Sequence, residues 1–200
     1  METYRTLIKP SESEVYKVKG SKFLGLAYPV GTREEIEAVL GDLRAKHAKA
    51  NHCCYAWKLG MEKPEIRYND DGEPVNSAGK PIYGQILSYD LTNVLIVVVR
   101  YFGGTKLGIG GLIQAYREAA RMALEEAHVT EREIKLSFFL DFEYATMDRV
   151  MKLIKEKQLE IVSQEMGMNV RLKVLVSKAK AAAFRDQVAS LRDVKWSENG

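Results

Sequence analysis

Between Tyr101 and Gly111 the chain reads Tyr-Phe-Gly-Gly-Thr-Lys-Leu-Gly-Ile-Gly-Gly, a run that holds five of its fifteen glycines, at 103, 104, 108, 110 and 111. It follows an apolar stretch with the pattern of a strand and leads into one with the pattern of a helix. Backbone amides at such a junction lack helical partners, and the helix dipole favours an anion there. Glycines let a phosphate or a nucleic-acid backbone come close, and Lys106 adds a point charge. The standard loops do not fit. A Walker A loop needs a lysine after its last glycine, and here Lys106 precedes Gly108. The dinucleotide pattern runs Gly108, Gly110 and then meets Ile113. The competing reading gives these glycines to tight turns and close helix packing.

Asp70-Asp71-Gly72-Glu73-Pro74 gathers three carboxylates into one loop. Such a cluster suits a divalent cation or an acidic contact surface, but the ligand register of an EF-hand is absent. A solvated acidic turn is the plainer reading. His52 and Cys54 alternate onto one face of a predicted strand, with Cys53, Tyr55 and Trp57 on the other. The pair has no second Cys or His pair nearby to complete a zinc site. Buried cysteines are common in sheets, and no serine elbow is present. No residue set reads as a catalytic centre or a metal site, and no cofactor is implied.

The elements that must position these residues follow from periodicity. Glu14–Lys19 and Lys22–Pro29 read as strands around Gly20-Ser21. Thr32 with Glu35 forms a capping box for a helix from Arg33 to His47. His52–Leu59 is a strand, residues 69–80 a loop, and Ser77 the expected cap of a helix through Ile82 and Ile86. Thr92–Tyr101 is apolar without alternation, as a strand covered on both faces requires. A helix from Leu112 to Ala127 follows. From Thr130 the pattern restarts as strand, helix, strand, strand, helix, strand: Leu136–Phe142, Tyr144–Lys157, Leu159–Met166, Met168–Ser177, Lys178–Arg192 and Val194–Trp196. That order is the ferredoxin-like arrangement. Its outward sheet face carries Lys135, Ser137, Phe139, Asp141, Arg171 and Lys173. Phe139 is the one stacking aromatic there, so this part reads as a docking or accessory module. The expected domains are 1–129 and 130–200, in the α+β class.

The composition, 46% hydrophobic and 28% charged, is that of a globular chain, and the net charge of +3 demands neither nucleic acid nor an anionic membrane. The N-terminus has no apolar leader, and the run Val94–Val99 is too short to span a bilayer. The adjacent Cys53 and Cys54 read as reduced thiols, which suits a cytoplasmic protein without a membrane partner.

Three stretches, taken together, resemble the bacterial members of the IMPACT family. They are His52 to Trp57; Asn69 to Pro74 with Ser77 to Pro81; and Val97 to Leu112. The resemblance spans nearly the whole chain. It implies an N-terminal two-layer α/β sandwich like domain four of elongation factor G, and a C-terminal ferredoxin-like domain like its domain five. It also implies a role in translation. The family's eukaryotic members restrain an initiation-factor kinase through an added N-terminal segment that is not visible before Glu14, so the broader role is the one implied here. The leading expectation is a non-enzymatic, translation-regulator-like protein that binds RNA or the ribosome. Its surface would join Asp70, Asp71, Gly72 and Glu73 to Tyr101, Gly103, Gly104, Gly108, Gly110 and Gly111, with Lys80, Arg100 and Lys106 on phosphates. Two alternatives stand beside it: a small-molecule-kinase-like enzyme with Asp70 or Asp71 on Mg²⁺, and a module that binds a protein partner.

Overall fold

The computed structural model describes residues 2–199. The chain divides into two compact units, Tyr4–Arg132 and the chain from Glu133 onward, with which residues 2–3 are grouped.

The first unit runs β1 (Thr3–Leu7), β2 (Ser11–Glu12), β3 (Tyr16–Val18), β4 (Ser21–Pro29), α1 (Arg33–Lys46), β5 (His52–Leu59), β6 (Glu65–Asn69), α2 (Gly79–Ser88), β7 (Val94–Tyr101), α3 (Gly108–Glu125) and β8 (Val129–Glu133). The main sheet has the order β2-β4-β7-β5-β6, with β3 also on β4, while β1 and β8 form a separate ribbon. Strand β7 is central, antiparallel to both β4 and β5. That position explains its uninterrupted apolar run, since Val94 to Val99 are all fully buried. Alternation sends Phe23, Ala27, Cys54, Ala56, Ile96 and Val98 to the face packed by α2 and α3. Leu24, Leu26, Cys53, Tyr55, Trp57 and Val97 go to the other, where Ile36 and Leu43 of α1 cover them. The expected two-layer sandwich is thus the sheet with α2 and α3, and α1 adds a lighter third layer.

Local signals account for much of this. Lys19 and Gly20, with φ of +45° and +79°, make the two-residue turn between β3 and β4. Thr32 Oγ1 accepts from the Glu35 amide at 3.2 Å, and Glu35 reaches back to accept from the Gly31 amide at 2.7 Å. The expectations for α2 and α3 need correction. Ala78, not Ser77, stands at the start of α2; the Ser77 hydroxyl donates instead to the Pro74 carbonyl at 2.6 Å. Helix α3 begins at Gly108, four residues before its first buried position, Leu112, so the glycine-rich run contains the helix's opening turn.

The second unit runs β9 (Lys135–Phe142), a 3₁₀ turn (Tyr144–Thr146), α4 (Met147–Glu156), β10 (Glu160–Met166), β11 (Val170–Ser177), α5 (Lys178–Ser190) and β12 (Val194–Asn199). Its antiparallel sheet has the order β10-β11-β9-β12, the ferredoxin-like topology. Phe138, Leu140, Phe142, Leu172 and Val174 face Val150, Ile154, Phe184 and Val188 of the helices. Burying each such side chain is worth about 1.5–3 kcal/mol. Met151 on α4 is partly exposed.

Candidate functional site

The acidic loop is tied down by its own carboxylates. Asp70 Oδ1 accepts from the amides of Ala78 and Gly79 at 2.9 and 2.8 Å, and Oδ2 from that of Asn76 at 2.9 Å. Asp70 is therefore the cap of α2, reaching it from upstream in the loop. Asp71, with φ +43°, accepts from the Cys53 amide at 2.7 Å and pairs with Arg44 at 2.8 Å. Both carboxylates are thus engaged by donors of the protein itself.

Glu73 goes inward. Its Oε1 accepts from Arg100 at 2.5 Å and from the Tyr116 hydroxyl at 2.7 Å, and lies 3.7 Å from His52 Nε2. Only 4% of the Glu73 side chain and 6% of the Arg100 side chain are exposed, so this is a buried ion pair. Its charges are stabilised by mutual contact and by the extra donor from Tyr116. His52 Nδ1 faces the Asp71 carbonyl at 2.8 Å; a carbonyl oxygen only accepts, so Nδ1 carries the proton. The Arg100 guanidinium lies between the rings of Phe23 and Phe102, 5.4 Å from each centroid. Its NH2 is 3.4 Å from Ser21 Oγ, and its Nε–H is buried with no acceptor. Burial pushes the Cys53 thiol up to about 11 and the Cys54 thiol higher still. Cys54 donates to the Asp70 carbonyl at 3.1 Å. Both are neutral packing groups at neutral pH, not nucleophiles.

The glycine-rich run splits into two parts. Gly103 packs on the β3–β4 turn, where a Cβ would come within 1.9 Å of Gly20 C, and its amide donates to Ser21 Oγ at 3.1 Å. That glycine is structural. Beyond it the chain is open. Gly104 and Gly108 have φ of +88° and +73°, and a Cβ on Gly104, Gly108 or Gly110 would meet nothing within 4 Å. Gly111 sits against the Leu107 side chain. No side chain caps α3 and no acidic residue stands in its first turn. Among the described residues, the amides from Gly104 to Gly110 find no partner.

Beside this opening lies a cavity of about 380 Å³ whose walls include His52, Glu73, Arg100, Phe102, Lys106 and Ile109. It brings Glu73, Arg100, Lys106 and Gly108 together from the expected surface. Asp70, Asp71 and Lys80 do not line it. Tyr101 turns to the opposite sheet face, where its hydroxyl meets His47 Nδ1 at 2.8 Å. Sequence reasoning did not place His52, Phe102 and Tyr116 here. Tyr116 lies among the buried apolar positions of α3, and only its hydroxyl under Glu73 reveals the polar part it plays. The alternation of β5 puts His52 and Cys54 on one face, and the fold makes that the face Cys54 shares with α3.

Comparison with known proteins follows the same division of the chain. A family model of the Impact N-terminal domain matches residues 19–124, and one of a domain of unknown function, DUF1949, matches residues 140–191. The IMPACT family member YigZ of Escherichia coli is 32% identical over 178 residues, covering 88% of this chain and 87% of its own. The IMPACT homolog of Saccharomyces cerevisiae is 36% identical over 95 residues, 45% of this chain and 36% of its own. A crystal structure of a hypothetical protein superposes with a TM-score of 0.79 at 29% identity, covering 98% of this chain and 97% of its own.

Proposed function

Because the chain belongs to the IMPACT family, we propose that it is a non-enzymatic, translation-regulator-like protein that binds RNA or the ribosome through the glycine-rich surface of its first unit. One observation carries this reading: a run of unpartnered amides, Gly104 to Gly110, opens to solvent at the start of α3 with exposed Phe102 beside it. Amides at a helix start receive phosphate oxygens, and an exposed aromatic ring receives a base. The β3–β4 turn that touches Gly103 adds exposed Lys19 to Lys106. Phosphate contacts of this kind position a strand without reading its sequence. The acidic loop is the scaffold of this surface, since its carboxylates are consumed internally, and Lys80 stands outside it.

The test is binding of single-stranded RNA across a salt series, wild type against Lys106→Ala. Losing one phosphate contact should weaken binding at low salt and flatten the slope of log affinity against log salt by about 0.7–1. No binding at low salt, or an unchanged slope, rejects the proposal. Co-sedimentation with ribosomes then separates the two partners.

A further inference from the structure

We propose that the free edge of β6 pairs with the same edge of a second copy of this chain, joining the two main sheets into one across a two-fold axis at Ile66. Neither Lys106 nor the glycine-rich turn takes part, so dimerisation and RNA binding are separable.

Strand β6 ends its sheet, and among the described residues its outer side has no backbone partner. An unpaired edge is a template for another strand. Folded proteins blunt such edges with short strands, bulges, prolines or a covering element. The opposite side of this sheet is blunted in that way, since β2 has two residues and β3 has three. Strand β6 has five residues, no proline within it and an unshifted register against β5.

The side chains of β6 select the occupant. Arg67 lies opposite Trp57 and Glu65 opposite Leu59, on the face that α1 covers. Tyr68 lies opposite Ala56, on the α2 face, and Ile66 shares that face. Ile66 and Tyr68 are 44% and 42% exposed, and Tyr68 stacks on Tyr83 of α2 with centroids 6.0 Å apart. Leu87, one turn further along α2, is 52% exposed. Contiguous exposed apolar surface of this kind marks an interaction site. On the α1 face, Glu65 pairs with Arg33 at 2.8 Å, while Arg67 has no ion pair among the described residues.

A second copy supplies what this edge lacks. Antiparallel pairing about Ile66 sets Ile66 against Ile66 of the other copy, with the Tyr68 rings diagonal to it. It also sets each Arg67 opposite the other copy's Glu65, twice over, because the axis repeats every contact. The carboxylate then lies between two guanidinium groups. Moving the axis to Glu65 or Arg67 would oppose two like charges instead. The charge pattern therefore fits one symmetric register.

The experiment uses the full chain and follows mass by light scattering and sedimentation equilibrium across a concentration series. The mass is expected to rise to twice the 22.6 kDa of one chain. Arg67→Glu puts like charges opposite each other and should weaken the dimer by about tenfold or more. Glu65→Arg should do the same. Combining Glu65→Arg with Arg67→Glu exchanges the two charges and should restore the dimer. Register is read by cross-linking with diamide as the oxidant. Directly opposite residues have Cα atoms about 4.5–5.5 Å apart, within reach of a disulfide. Ile66→Cys should therefore cross-link to a covalent dimer, while Arg67→Cys, which faces Glu65, should not. The native Cys53 and Cys54 are buried, so the wild-type chain is the blank. A monomer at every concentration overturns the proposal and leaves the edge to an extended segment of another protein. A dimer that ignores Arg67→Glu and does not cross-link through Ile66→Cys also overturns it, because the copies then meet elsewhere. Failure of the double exchange to restore the dimer overturns the Glu65–Arg67 register.

Discussion

Two loops of the first unit invite a functional reading, and they differ in where their polar groups go. The acidic loop at 70–74 is dense in charge, yet each of its carboxylates is satisfied from within: Asp70 by amides around the start of α2, Asp71 by Cys53 and Arg44, and Glu73 by Arg100 and Tyr116. The glycine-rich turn at 101–111 has one charged side chain, Lys106, but past Gly103 its amides face outward unpartnered. Ionisable residues in sequence therefore mark the scaffold here, and missing side chains mark the opening. A polar group already satisfied by the fold has little left to offer a ligand.

The sharpest way to break this comparison is Glu73→Ala. If Glu73 is scaffold, its removal leaves the Arg100 charge buried without a partner and orphans the Tyr116 hydroxyl. The expected loss is about 3–5 kcal/mol from the first unit. Urea unfolding followed by Trp57 emission in a Trp196→Phe background reads that unit alone. A loss below about 1 kcal/mol would return Glu73 to the pool of available surface carboxylates. Asp70→Ala comes next. It removes the acceptor for three amides and the cap of α2, so about 2–3 kcal/mol should be lost by the same assay. Lys106→Ala, on the other loop, should change stability by less than about 0.5 kcal/mol while weakening RNA binding.

What was legible in sequence was local or strongly periodic. The apolar run of β7, the capping box of α1, the turn between β3 and β4, and the six elements of the second unit all announce themselves within a short window. The rest depended on contacts across the chain. Ser77 has the right chemistry for a cap, but the α2 cap comes from Asp70, because the loop folds back on itself. Strand β6 is exposed along most of its length, so it shows no alternation, and β2 is only two residues long. The site was half legible. Glycine density located the turn, but the partners of Arg100 lie 27 and 79 residues away in sequence, at Glu73 and Ser21. Only the register of β4 and β5 against β7 brings them together.

A pair of glycine substitutions within one turn is the most discriminating. Gly110 has an ordinary backbone conformation, and a Cβ there meets open space. A glycine in a helix is about 1 kcal/mol less favourable than alanine, so Gly110→Ala should stabilise the first unit by up to about that amount. Gly103→Ala on the same turn must do the opposite, because its Cβ would collide with the Gly20 backbone. Opposite signs for two substitutions in one loop would separate the structural glycine from the open one. If Gly110→Ala is instead destabilising, something in the fold already occupies the space above the α3 amides. The turn would then be scaffold throughout, as the acidic loop is, and the distinction between the two loops would fall.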